Sequence, residues 1–305
     1  MTIPRRPLGR TGVEVSMLCL GGFHLGVPPA AEATRIIHTA IDAGIDFLDN
    51  AWEYNDGESE RRVGDALAHD GYRDRVFLMT KNCAHDRTAA NSMVKLEESL
   101  RRLQTDHLDL WQIHEVTWPD DPDRIFAPGG AGEAMLKAKE QGKVRFIGFT
   151  GHKSPAIFKR MLGAGFPWDT LQMPVSLLDR HFNSFQAEIL PIAEAQGVGI
   201  IGMKSLAAGH LFDSATDITA HEAIAYSLSQ PIASLCVGVD SMAILEQDLA
   251  IGRDFTPLAT DEQERLLERA FPHAWNGAHE PFKTSYAFEG GEARREHGLP
   301  LAAAD

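Results

Sequence analysis

A three-part unit recurs along this chain: an amphipathic helical pattern, a glycine, and a short run that is apolar on both faces. It appears as Ile36–Ala43 with Gly44 before Ile45–Asp49, as Met135–Gln141 with Gly142 before Val144–Gly148, and as Phe185–Gln196 with Gly197 before Val198–Ile201. Each glycine stands where a helix ends in a left-handed cap, the backbone state that costs glycine least. Short apolar runs without alternation suit strands covered on both faces, as in a parallel sheet whose connections are helices. Further strands are expected at Met17–Leu20, Val76–Thr80, Leu108–Ile113, Thr170–Met173 and Ser234–Val237, with a helical stripe of Met93, Leu96, Leu100 and Leu103 among them.

Eight parallel strands joined by right-handed helical crossovers can close on themselves. The pattern therefore predicts an α/β fold of the (β/α)8 TIM-barrel type. An open doubly wound sheet is the alternative, disfavoured because no G-x-G-x-x-G follows the first strand. Residues 8–16 predict an N-terminal β-hairpin, and residues 260–305 a C-terminal helix at Glu262–Ala270 followed by an irregular tail. No Pro/Gly/Ser-rich linker interrupts the repeat, so a single barrel domain over residues 1–305, with its core at 8–258, is expected.

The totals exclude several classes of function. A hydrophobic content of 44% with 24% charged residues is that of a globular chain able to bury a large core. The net charge of −14 argues against a nucleic-acid or anionic-membrane partner. No apolar h-region follows the N-terminal arginines and no run has the length of a membrane span, so a cytoplasmic location is expected. Cys19, Cys83 and Cys236 show no zinc-type spacing and no iron–sulfur pattern, and no metal is expected. Cys19 and Cys236 read as small buried hydrophobes; Cys83 follows a strand end.

In a barrel of this kind, catalytic groups sit at the C-terminal strand ends and in the loops after them. The second strand ends in Asp49, with Tyr54 in the following loop. The third ends in Thr80-Lys81 and the fourth in His114. Singly, each residue has an ordinary structural role open to it. Together they suit one chemistry. Reducing a carbonyl by hydride leaves an alkoxide that needs a proton donor. A phenol with a pKa of about 10 donates readily only if a neighbouring cation favours phenolate, and a buried lysine needs a carboxylate to stay charged.

The residues around this set resemble the aldo-keto reductases. The resemblance rests on Phe47 to Tyr54, Gly57 to Glu60 with Val63 to Leu67, Leu78 to Lys81, Leu108 to His114, the Leu8–Gly12 turn and Leu20-Gly21-Gly22. It implies that Tyr54 is the general acid, that Lys81 and Asp49 tune it, and that His114 orients the substrate.

The same resemblance implies NADP(H) or NAD(H) as cofactor. Thr150 and Gln172 match its carboxamide contacts, and His152 stands where asparagine is usual, after Gly151. Met203 replaces the stacking aromatic ring. Gly22, Lys204, Leu206, Gly238, Ser241 and Gln247 match the remaining contacts. The segment from Gly238 to Asp248 carries Asp240 and Asp248 and no basic residue before Arg253, unlike relatives that hold a 2′-phosphate. The substrate pocket is expected from Phe23, Trp52, Glu115 with the loop to Gly132, and the tail after Phe271. Within that loop, Val116–Asp120 suits either a lid or a rigid turn. The partner is then a small carbonyl or alcohol, in either reaction direction. A non-catalytic, cofactor-binding regulatory subunit is a further alternative, which the intact Asp49, Tyr54, Lys81 and His114 set disfavours.

Overall fold

The computed structural model describes residues 2–214 and 216–300. Strands β1 (Arg5–Pro7) and β2 (Glu14–Ser16) form an antiparallel hairpin around the expected turn. Eight parallel strands follow: β3 (Leu18–Gly21), β4 (Phe47–Asp49), β5 (Phe77–Lys81), β6 (Leu108–Ile113), β7 (Val144–Thr150), β8 (Thr170–Pro174), β9 (Gly199–Met203) and β10 (Ser234–Gly238). Each pairs with the next, and β10 closes on β3 through Cys236 opposite Cys19 and Gly238 opposite Gly21. The closed barrel excludes the open sheet. Among the described residues, no helix is long and apolar enough to cross a membrane.

Two apolar shells hold the barrel. Leu8 and Val15 of the hairpin join Cys19, Phe47, Phe77, Met79, Leu110 and Ile201 in an inner cluster, so the hairpin packs with the barrel interior. Leu18, Leu20, Leu48, Leu78, Trp111, Ile147 and Leu171 face outward into the helical layer. Gly44, Gly142 and Gly197 take left-handed φ values of 101°, 72° and 66°. At Gly9, φ is also positive, and a Cβ would meet the Gly199 backbone nitrogen at 2.3 Å, so only glycine lets the hairpin turn approach β9 this closely.

The structure corrects several of the expected boundaries. Six of the eight strands run one or two residues further at their C-terminal ends, to Gly21, Lys81, Thr150, Pro174, Met203 and Gly238, because pairing with neighbouring strands continues there. The helix expected over Phe185–Gln196 is divided into Phe185–Glu188 and Leu190–Gln196. Pro191 opens the second piece, because it lacks an amide hydrogen and its ring crowds the carbonyl one turn earlier. The C-terminal helix is longer than its apolar stripe, Thr260–Ala274. The tail is not irregular: it contains short helices at Pro281–Thr284 and Gly291–Glu296. Residues 301–305 of that expected tail lie outside the described residues.

Candidate active site

Alternation along each strand decides which side chains reach the barrel axis. In β4, Phe47 is inner and Leu48 outer, so Asp49 points inward. In β5, Phe77 and Met79 are inner; Lys81 follows them, while Thr80 turns outward to Glu60 at 2.7 Å. In β6, Leu110 is inner and Trp111 outer, which aims His114 back toward the axis one step past the strand. Tyr54 arrives from the loop after β4. Asn55, Asp56 and Gly57 behind it are all left-handed, at φ 52°, 54° and 80°. Asn and Asp tolerate that conformation best among side-chain-bearing residues, and a Cβ on Gly57 would meet the Arg102 guanidinium at 2.4 Å. The Tyr54 ring stands edge-on to Phe23 and to His114, each 5.6 Å away between centroids.

Lys81 is the centre of the set. Its ammonium pairs with Asp49, donates to the Asn50 carbonyl at 2.8 Å and reaches the Tyr54 hydroxyl at 3.2 Å. Burying an ion pair is costly unless its remaining valences are filled. Here they are, because Asp49 also accepts from Gln172 at 3.0 Å and from the Cys236 thiol at 3.2 Å. Cys236 is thus more than an apolar filler. Burial pulls the Lys81 ammonium down, but Asp49 and Tyr54 outweigh it and the net direction is upward. Burial pushes the Tyr54 phenol well up, and Lys81 offsets only part of that. The net direction is upward, against the lowering expected from the lysine. Desolvation outweighs the neighbouring cation.

His114 is fixed through its backbone, with its N–H donating to Asn82 Oδ1 at 2.9 Å and its carbonyl accepting from Arg87. Its Nδ1 has no hydrogen-bond partner among the described residues but stands 3.5 Å from Glu53 Oε2. The other Glu53 oxygen accepts from the Ala84 amide at 2.5 Å and lies 3.4 Å from His85 Nδ1. Burial pushes the Glu53 carboxyl up, but His114 and His85 outweigh that and bring it to about 2. Sequence reasoning assigned Glu53 and His85 no role. The one local signal was the position of Glu53 directly before Tyr54.

A second charged group occupies the ends of β6 and β7. Glu115 meets His152 Nδ1 at 3.0 Å, and Glu289 of the tail stands 3.5 Å from His152 Nε2 and 2.7 Å from Lys153. Burial pushes the Glu115 carboxyl up, but the His152 and Lys204 charges help bring it below its ordinary value. Half-buried Lys204 lies over the Phe282 and Phe288 rings, 4.8 and 4.7 Å from their centroids. Trp118 is sandwiched between Tyr286 and His297, with centroids 4.3 and 3.8 Å away. Its backbone amide is held by Asp121, so the Val116–Asp120 segment is a clamped turn.

The remaining candidates fall in two groups. Phe23 is exposed beside Tyr54, whereas Trp52 donates to Glu98 at 2.6 Å and carries Lys95 over its ring, engaging the outer helix. Thr150 pairs in register with Gln172, and both are buried. Gln172 leaves Oε1 buried without a partner among the described residues, a free acceptor for a carboxamide N–H. A Cβ on Gly22 would meet the Asp49 carbonyl oxygen at 2.5 Å, and one on Gly238 the His24 ring at 2.4 Å. Met203 ends β9, and the loop after it holds Lys204, Ala207 and Ala208 at φ 60°, 50° and 57°. Non-glycine residues in that region are strained and cluster at ligand-binding loops. Leu206 packs against the apolar core. Ser241 caps the helix Met242–Arg253, Gln247 is exposed on it, and Asp248 is buried. A helix N-terminus of that length favours an anion such as a phosphate. These features fit a nicotinamide dinucleotide.

A barrel with these four side chains at its strand ends defines a class of oxidoreductase. A profile of the Aldo/keto reductase family matches residues 17–267, and the chain belongs to that family. It is 35% identical over 230 residues to an uncharacterized oxidoreductase of Bacillus subtilis, covering 67% of each chain. It is 28% identical to an L-galactose dehydrogenase of Arabidopsis thaliana, over 91% of this chain and 99% of that one. The holo form of an aldo-keto reductase from Bacillus halodurans superimposes with a TM-score of 0.76 at 26% identity, covering 91% of this chain and 99% of that one.

Proposed function

We propose that this chain reduces an aldehyde or ketone to an alcohol with NAD(P)H, and that Tyr54 is the proton donor. The observation that carries this reading is the Tyr54 hydroxyl 3.2 Å from a lysine ammonium that is itself paired with Asp49. The bound nicotinamide supplies the hydride. Thr150 and Gln172 would hold its carboxamide, with Met203 packing beside it and Gly22, Lys204, Leu206, Gly238, Ser241 and Gln247 along the rest of the dinucleotide. His152 is engaged by Glu115, so the contact usually made by asparagine falls away from it.

The residues divide the work. Tyr54 releases its proton toward the substrate oxygen, and Lys81 stabilises the phenolate left behind. Asp49 keeps Lys81 charged. His114 directs the carbonyl toward Tyr54, with a Glu53 oxygen 3.5 Å from its Nδ1.

A second reading runs the same chemistry as oxidation of a sugar alcohol with NAD+. The L-galactose dehydrogenase relative supports it, as do Asp240 and Asp248 and the absence of a basic residue from 238 to 252. Glu115, His152 and Glu289 add polar groups suited to a hydroxyl-rich substrate. Fluorescence titration with NADH and NADPH, followed by an aldehyde and sugar screen with the tighter nucleotide, tests both readings. Failure to bind either nucleotide would remove them together.

A further inference from the structure

Glu53 from the loop after β4 meets Cys83 and His85 from the loop after β5, on the far side of Glu53 from the barrel axis. A carboxylate oxygen, the thiol sulfur and an imidazole nitrogen lie within 4.8 Å of one another. We propose that these three residues form a Zn2+ site, and that metal bound there restrains turnover through Glu53.

The donor set selects the ion. Thiolate and imidazole suit zinc, whereas Mg2+ and Ca2+ take oxygen ligands. Ligands about 2.0–2.3 Å from a tetrahedral zinc stand roughly 3.5 Å apart. Glu53 and His85 already meet that at 3.4 Å, and the Cys83 sulfur, which donates to the His85 carbonyl at 3.1 Å, lies within 4.8 Å of both ligand atoms. Thiolate and carboxylate together neutralise the divalent charge, and the thiol proton passes to solvent as metal binds.

Outer contacts steady the ligands: the Ala84 amide donates to Glu53 at 2.5 Å, and Asn91 Nδ2 donates to Cys83 Sγ at 3.2 Å. The cation facing the cluster, Arg87, is offset by Asp121 at 2.8 Å and by the carbonyls of Cys83 and Glu115. Cys83 is buried, while the Glu53 and His85 side chains are 24% and 21% exposed, so the cluster is reached from solvent, which would supply a fourth ligand.

Coupling to the reaction follows from the second Glu53 oxygen, 3.5 Å from His114 Nδ1. Zinc on the cluster withdraws the negative charge that faces that nitrogen. This consequence rests on the function proposed above; binding of the metal does not.

The test is a zinc titration of chelator-stripped, reduced protein against a chromophoric chelator, with turnover followed in parallel. One zinc per chain is expected. Cys83→Ala and His85→Asn should each weaken binding at least tenfold while keeping the wild-type circular dichroism and melting temperature, and MgCl2 should not compete. Cys83→Ala should retain basal turnover and lose sensitivity to zinc. Absence of stoichiometric zinc, or binding unchanged in both folded variants, overturns the site. Stoichiometric binding that leaves wild-type turnover unaltered overturns the restraint and upholds the site. A chain without measurable oxidoreductase activity counts against the proposed function, and the zinc titration is read as before.

Discussion

Lys81 serves two partners at once: it pairs with Asp49 and donates to the Tyr54 hydroxyl 3.2 Å away. The first contact keeps the ammonium charged inside the barrel, and the second places that charge beside the phenol proposed to give up its proton. Removing either end of this relay should therefore produce different kinetic signatures.

Tyr54→Phe removes only the hydroxyl. Turnover should fall by about 10² to 10⁴, the usual worth of a general acid. NAD(P)H affinity, read by fluorescence, should stay within a few-fold of wild type. Near-wild-type rates on every substrate would take Tyr54 out of the mechanism.

Lys81→Met keeps much of the volume and removes the charge. The barrel should still fold, because Asp49 retains Gln172 and Cys236 as donors. Alcohol oxidation should suffer more than reduction, since Tyr54 must then accept a proton and burial already holds it in the neutral form. The alkaline limb of the oxidative pH profile should move upward. An unchanged limb in a folded variant would make Lys81 structural.

Ser241→Arg adds a guanidinium at the start of the helix Met242–Arg253, where Ser241 now caps Ile244. Bidentate pairing with a 2′-phosphate should tighten NADPH relative to NADH. Equal, unaltered affinities for both nucleotides would place the adenosine end elsewhere.

Asp248→Asn tests a buried carboxyl whose pKa burial raises to about 6 from 3.8. The folded state binds this proton more tightly than the unfolded one, so stability falls as pH rises from about 4 to 6 and is level above that. The cost at neutral pH is about 3 kcal/mol at most. Urea unfolding should show the Asn variant gaining stability over wild type at pH 7.5 and little difference at pH 3.5. A constant difference across that range would exclude titration of Asp248 as its source.

Much of the fold was legible because its signals are local. The glycines at 44, 142 and 197 mark helix ends that any neighbour would recognise, and β6 coincides with its apolar run, Leu108–Ile113. The division of the helix at Pro191 was also written in the sequence, but the apolar stripe running through it masked the break. The short tail helices lacked a periodic stripe, because each packs through only a few residues, such as Phe282 and Ala293.

The sequence by itself determined the barrel and offered Asp49, Tyr54, Lys81 and His114 as candidates that the structure brings together, since strand periodicity and strand-end position are properties of short segments. Tertiary structure alone decided that Cys236 donates to Asp49 across the β10–β3 closure, that Glu289 reaches His152, and that Glu53 stands between His114 and His85. Those contacts join segments far apart in the chain, and they exist only once the barrel has closed in one register. Closure also buries Asp49 and Lys81 and partly buries Tyr54. That desolvation, which no residue spacing records, is what raises the Tyr54 phenol despite the lysine beside it.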